Sequence, residues 1–145
     1  MFEKILYPTD FSDVAVKAMG YVKRLKASGA KEVIVLHVID ERGIDAVHRF
    51  LGESEFDKLK KNKIEETKSL LKGAEKKLTA AGFKVKLRVE TGIPVREILR
   101  VEEEEKVSVI VIGSHGWSNL QEIFLGSVSE KVIRKSKNPV FVIKR

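Results

Sequence analysis

The sequence contains no cysteine and no long apolar run. The absence of cysteine excludes disulfides, thiolate metal sites and cysteine nucleophiles, and it suits a protein of the reducing cytosol. No stretch approaches the roughly 18 consecutive apolar residues that suggest a membrane span. The first apolar run, residues 5–7, is cut by Pro8, so we expect no export signal. These absences predict a soluble cytoplasmic protein.

The composition is that of one folded domain. A chain of 145 residues has room for a single domain over residues 1–145, and 43% hydrophobic residues supply a core. The net charge of +7 is compatible with an anionic partner such as a nucleotide, a nucleic acid or a lipid headgroup. The basic residues form short scattered clusters without interleaved aromatics, which argues against nucleic acid.

The pattern of apolar residues predicts alternating strands and helices. The predicted strands are residues 4–7, 32–38, 84–89, 109–112 and 140–143. The predicted helices are residues 12–28, 56–81, 94–106 and 127–135. Residues 39–55 mix charge with weak periodicity and are predicted only as a connection. Alternation of this kind indicates an α/β fold, with a doubly wound parallel sheet and helices on both faces.

The character of each predicted strand indicates its place in the sheet. The first, second and fourth strands are almost wholly apolar, which is typical of strands covered on both faces. Residues 84–89 alternate polar and apolar side chains, as a strand near an edge does. The simplest arrangement is a five-stranded sheet of order 3-2-1-4-5. Ligands of such sheets bind beyond the carboxyl ends of the strands where the order reverses, here between strands one and four.

Two segments leave the strands at this reversal point. Pro8, Thr9 and Asp10 follow the first strand, and a glycine-containing loop from Gly113 follows the fourth. Glycines let backbone N–H groups approach an anion closely. Ser127 opens the last predicted helix, whose N–H groups and dipole favour a phosphate. The topology therefore predicts a site for a phosphorylated ligand.

The spacing Gly-x2-Gly-x9-Gly-Ser, at Gly113, Gly116, Gly126 and Ser127, resembles the ATP-binding signature of the universal stress protein family. Together with Pro8-Thr9-Asp10, the resemblance covers essentially the whole chain. It implies that Asp10 hydrogen-bonds the ribose hydroxyls. It also implies that the nucleoside is bordered by Pro8, Thr9 and the backbone of Val38.

The resemblance further implies contacts to the phosphates, mostly through backbone groups. The residues are Gly113, His115, Gly116, Gly126, Ser127, Val128 and Ser129. A divalent cation, Mg²⁺ or Mn²⁺, would be held chiefly by phosphate oxygens, without a preformed metal cage in the protein. The family likeness also implies a homodimer through the last strand, whose apolar edge invites pairing with a second chain.

Plainer explanations exist for several of these residues. Ser127 followed by Glu130 also fits a capping box, and Asp10 fits a helix cap or an Asx turn. Trp117 and Phe124 could stack on a base, although packing in a core or an interface explains them better. The three histidines show no spacing typical of zinc ligands, so we predict no metal site.

Three functional classes fit the sequence: a nucleotide-dependent regulatory module, a slow ATPase and a nucleotide-independent interaction protein. The chain lacks the P-loop pattern Gly-x4-Gly-Lys-[Ser/Thr]. It also offers no clear candidate for the residue that activates the nucleophile in phosphoryl transfer. We therefore expect an ATP-binding stress-response module with an unidentified protein partner, and at most slow or partner-activated hydrolysis.

Overall fold

The structure, a computed structural model, describes residues 1–115 and 126–145. Strands and helices alternate along that part of the chain, except that two helices lie between the second and third strands. The strands are Lys4–Pro8 (β1), Glu32–Asp40 (β2), Lys84–Gly92 (β3), Val109–Gly113 (β4) and Val140–Ile143 (β5). The helices are Asp13–Arg24 (α1), Glu41–His48 (α2), Glu53–Ala80 (α3), Pro94–Glu105 (α4) and Ser127–Lys135 (α5).

The five strands form one parallel sheet of order β3-β2-β1-β4-β5. The predicted strand order and α/β fold class are thereby confirmed. Strand β1 lies in the centre, and β3, with its alternating side chains, lies at one edge. Strand β5 forms the other edge. The order reverses between β1 and β4, so their carboxyl ends diverge over a crevice.

Alternate residues of the central strand belong to opposite cores. Ile5 and Tyr7 pack in a layer with α1 and α3, whereas Leu6 packs in a layer with α4 and α5. All three side chains are at most 1% exposed. Helices therefore cover both faces of the sheet, as the near-continuous apolar strands require.

Helix α1 begins where its sequence signal predicts and ends earlier as an α-helix. The side chain of Ser12 accepts a hydrogen bond from the N–H of Ala15 at 3.3 Å, which caps the first turn. The last turn, Leu25–Ser28, is a 3₁₀ helix, and Gly29 follows it with φ of 96°. A left-handed residue at this point favours glycine.

The connection predicted over residues 39–55 contains structure that the sequence pattern did not reveal. Strand β2 continues to Asp40, whose side chain accepts a hydrogen bond from the N–H of Arg42 at 3.0 Å and caps α2. Helix α2 has only eight residues and buries none of them, so its pattern is too short to distinguish a helix from a connection. Helix α3 begins at Glu53, three residues before the predicted start. In the described ranges no helix is both long and apolar enough to cross a bilayer.

Candidate functional site

A cavity of about 240 Å³ lies at the carboxyl ends of β1 and β4. Ten of the eleven residues predicted for the site line it. They are Pro8, Thr9, Asp10, Val38, Gly113, His115, Gly126, Ser127, Val128 and Ser129. The eleventh, Gly116, lies outside the described residues, as do Trp117 and Phe124. The fold thus brings two segments more than 100 residues apart in sequence to one cavity.

The lining also includes six residues that the sequence analysis missed. They are Ala15, Leu36, Pro94, Ile98, Ile112 and Ser114. Two of them, Pro94 and Ile98, belong to the start of α4, which follows the carboxyl end of β3. All carboxyl ends of a parallel sheet lie at the same edge, so this position could have indicated a contribution from α4. Leu36, Ile98 and Ile112 belong to the core layer of α4 and α5 and make one part of the wall apolar.

The backbone N–H and C=O of Val38 in β2 point toward the space beyond the end of β1. The last bond between these strands runs from the Thr9 N–H to the Leu36 carbonyl at 2.8 Å. Backbone groups of alternate residues in a strand point the same way, so the N–H and C=O of Val38 also point toward the β1 side. Strand β1 ends at Pro8. A donor and an acceptor of one residue therefore border the apolar part of the cavity.

The loop after β1 is held in a defined conformation. The Asp10 carboxylate accepts a hydrogen bond from the Ser12 N–H at 2.9 Å, which is the Asx turn considered above. Phe11 has φ of 63°, and its ring packs on that of His37 with centroids 5.0 Å apart. The Nδ1 of His37 lies 2.9 Å from the Thr9 carbonyl oxygen. These contacts fix Asp10 at the rim of the crevice.

The start of α5 forms the opposite wall. Gly126 is the N-cap, and no side chain caps the helix. The capping box predicted as an alternative for Ser127 and Glu130 is therefore wrong, because Ser127 is already the first helical residue. The Ser129 hydroxyl donates to the Ser114 carbonyl at 2.8 Å. Helix N–H groups that have no partner within the helix thus point toward the cavity.

Local packing also explains why two positions of the motif are glycine. A Cβ at Gly113 would lie 2.8 Å from Cγ1 of Val14, and one at Gly126 would lie 2.9 Å from the Ser114 carbonyl oxygen. Gly126 has φ of −63°, an ordinary conformation for any residue. Close approach of other chain segments, rather than an unusual backbone angle, therefore requires glycine at Gly126.

Within the described lining the ionisable side chains are Asp10 and His115, and no lysine or arginine contributes. His115 is 8% exposed, and its Nδ1 lies 2.8 Å from the Ser114 hydroxyl. Nearby Tyr7 donates to the Ala15 carbonyl at 2.6 Å, and burial raises the pKa of Tyr7 to about 12. The phenol therefore stays protonated. Across residues 1–115 and 126–145, no three acidic or histidine side chains cluster as a metal site.

Comparison with known proteins identifies one family. The model of the family described as "Universal stress protein family" matches residues 1–144. Universal stress protein MJ0577 of Methanocaldococcus jannaschii is 49% identical over 156 residues, which cover 100% of this chain and 96% of that protein. The solved structure of MJ0577 superposes with a TM-score of 0.90 and covers 100% of this chain and 97% of the other.

Two more distant structures were solved with nucleotides. A universal stress protein in complex with cAMP is 24% identical, with a TM-score of 0.67 and coverage of 99% of this chain and 97% of that chain. The universal stress protein from Archaeoglobus fulgidus in complex with dAMP is 21% identical, with a TM-score of 0.66 and coverage of 99% and 98%. At these identities the two structures show a shared fold.

Proposed function

Because this chain belongs to the universal stress protein family, we propose that it binds ATP in the cavity between β1 and β4 and acts as a nucleotide-dependent regulatory module of the cytoplasm. The observation that carries the proposal is the convergence of Asp10, an apolar wall and the start of α5 on one cavity. Family members solved with cAMP and dAMP support an adenine nucleotide as the ligand.

The nucleoside would lie against the apolar wall. Pro8 and Val38 would border the base, with Pro94 and Ile98 as further lining. The outward N–H and C=O of Val38 offer one donor and one acceptor, which complement the N1 and N6 edge of adenine. The Asp10 carboxylate at the rim accepts hydrogen bonds and would bind the ribose hydroxyls. This division of roles follows the chemistry of each wall.

The phosphates would lie at the start of α5. Unpaired helix N–H groups and the positive end of the helix dipole stabilise anions there. Gly113, His115, Gly126, Ser127, Val128 and Ser129 line this part of the cavity. Since no lysine or arginine is among the described lining residues, a divalent cation such as Mg²⁺ or Mn²⁺ would offset the phosphate charge. Phosphate oxygens would be its principal ligands.

The cavity favours a binding role over rapid catalysis. Phosphoryl transfer requires a residue that positions or activates the nucleophile. Asp10 is engaged in the Asx turn, and the Nδ1 of His115 faces the Ser114 hydroxyl. We therefore propose slow or partner-activated hydrolysis, with an unidentified protein partner reading the bound state. Turnover by the purified protein at about 1 per second or faster would contradict this part of the proposal.

A homodimer through β5 completes the proposed assembly. The Ile110 N–H donates to the Pro139 carbonyl at 3.0 Å, and the Ser114 N–H donates to the Ile143 carbonyl at 2.8 Å. The backbone N–H and C=O groups of odd-numbered residues in β5 therefore point toward β4. By the same alternation, Val140 and Val142 direct their backbone groups away from the sheet, where a second β5 could pair with them.

Mass spectrometry of the nucleotide released from freshly purified protein tests the ligand assignment. We expect an adenine nucleotide, retained in molar proportion to the protein when Mg²⁺ is kept in the buffers. A guanine nucleotide in its place would contradict the proposed base contacts. Folded protein that neither carries nor takes up any nucleotide would instead favour a nucleotide-independent interaction module.

A further inference from the structure

Ser114 lies where the cavity meets the edge strand β5. It is fully buried, and its N–H donates to the Ile143 carbonyl at 2.8 Å. Its own carbonyl accepts from the Gly126 N–H at 2.7 Å and from the Ser129 hydroxyl at 2.8 Å. One residue therefore joins the helix end that lines the cavity to the carboxyl end of β5.

We propose that Ser114 is a positioning residue that couples nucleotide occupancy to β5, so that ATP strengthens pairing of this strand with a second copy of the chain. The inference rests on the proposed nucleotide site and dimer, and adds how one regulates the other. Ligand that holds the start of α5 also holds Gly126 and Ser129, and through them Ser114. The end of β5 is then ordered before a second chain pairs with it.

Strand β5 is short, so the hydrogen bond from Ser114 holds a large part of it. The strand has four residues and is held at both ends. At its start, the Glu102 carboxylate accepts from the Ser136 hydroxyl at 2.5 Å and from the Asn138 N–H at 3.1 Å. At its end it is held by Ser114. Only this second anchor touches the cavity. Ordering a residue costs conformational entropy, so a ligand that has already ordered the end of β5 favours its pairing with a second chain.

Ser129, in the first turn of α5, and Ser136, which follows the last residue of α5, provide a matched test. Ser129→Ala removes the hydroxyl that binds the Ser114 carbonyl, and Ser136→Ala removes the hydroxyl that binds Glu102 at the other end of β5. The dimer dissociation constant of each full-length protein is measured by sedimentation with and without ATP and Mg²⁺. ATP should lower the constant of the wild type about tenfold, within the usual range of coupling between sites.

The two variants should distinguish the Ser114 contact at the end of β5 from the Glu102 contacts at its start. With each variant saturated with ATP, as calorimetry verifies, the ATP-dependent fold-change in the dimer constant should fall toward one in Ser129→Ala. Ser136→Ala should weaken the dimer equally with and without ATP and keep the ATP-dependent fold-change. Hydrogen exchange on the wild type provides a second readout, since ATP should slow exchange of the β5 amides. Equal loss of this fold-change in both variants would overturn the role of Ser114.

The remaining outcomes distinguish this inference from the proposed function. If calorimetry shows ATP binding while the dimer constant and β5 exchange stay unchanged, the coupling is wrong and the nucleotide site stands. A chain that stays monomeric at every concentration also overturns the coupling. If ATP does not bind the folded protein, the proposed function fails and the coupling fails with it.

Discussion

The carbonyl oxygen of Ser114 lies 2.9 Å from the position that a Cβ on Gly126 would occupy. The same oxygen accepts the Gly126 N–H at 2.7 Å, so the contact joins the end of β4 to the start of α5. A glycine expected from its spacing to serve a phosphate thus also serves the packing of the protein itself. Variants of Gly126 therefore report on folding as well as on ligand binding.

Gly126→Ala should lower both the free energy of unfolding and the affinity for ATP. Forcing a methyl group against a backbone oxygen is expected to cost about 1–3 kcal/mol. Urea denaturation measures the first effect, and Gly20→Ala is the control, because a Cβ at Gly20 in α1 would meet nothing within 4 Å. Wild-type stability of Gly126→Ala would contradict the packing role.

Asp10→Ala should weaken ATP binding about 10- to 100-fold, the loss expected when hydrogen bonds to a charged group are removed. Asp10→Asn should lose less, since its amide oxygen can still accept from the Ser12 N–H. Asp13→Asn is the matched control: this carboxylate pairs with Arg145 at 2.9 Å and is absent from the cavity lining. Calorimetric titration measures the ATP affinity of all three variants. Equal losses of affinity in Asp10→Asn and Asp13→Asn would contradict the role of Asp10 in nucleotide binding.

ATP should bind at least tenfold more tightly than GTP. The N–H and C=O of Val38 complement the acceptor N1 and donor N6 of adenine. Guanine presents a donor at N1 and an acceptor at O6, which would set like groups against each other and leave them unsatisfied. Competition of both nucleotides for one labelled ATP analogue measures the ratio. Comparable affinities would show that the Val38 backbone does not read the base.

Val142→Pro should shift the protein toward monomer. Proline removes the N–H that Val142 directs away from β4, while the ladder to β4 uses residues such as Ile143. Val142→Ala keeps this donor and should remain dimeric, so it controls for the loss of the side chain. Light scattering gives the mass of each protein. An unchanged dimer in Val142→Pro would place the interface on another surface.

The acid sensitivity of the fold should depend on Arg88. Hydrogen bonds from Arg88 lower the pKa of Glu90. The pKa of Glu105 is lowered mainly by a hydrogen bond from Lys86 and also by one from Arg88. These glutamates therefore bind protons less readily when folded than when unfolded, where the pKa is about 4.3. Their contribution is present above that pH and lost as the pH falls through the lowered folded pKa values.

Arg88→Gln should accordingly flatten the loss of stability below about pH 4.5. Urea midpoints between pH 3 and pH 7 measure the effect for wild type and variant. Lys31→Gln serves as the control, because Lys31 forms an exposed pair with Glu3 at 3.9 Å and exposed pairs contribute little. Parallel pH profiles for Arg88→Gln and wild type would exclude the Arg88 pairs as the source of acid sensitivity.

Strong local signals account for what the sequence predicts well. The apolar runs of β1 and β4 and the alternation in β3 indicate the strand order that the sheet has. The two motifs carry the family resemblance, and that resemblance implied the ten predicted residues that line the cavity. Helix α2 was missed because it packs no side chain into the core. Pro94 and Ile98 were missed because their signals are those of an ordinary helix start and core, and only tertiary packing turns them toward the cavity.

Calorimetric titration of the purified, nucleotide-free protein with ATP and Mg²⁺ measures whether the cavity between β1 and β4 binds the nucleotide. We expect one ATP per chain, with affinity that falls in Asp10→Ala and is retained in Asp13→Asn. Absence of binding heat over a range of temperatures, by a protein shown to be folded, would contradict this expectation. Binding that is unchanged in Asp10→Ala would show that the nucleotide lies outside the cavity between β1 and β4.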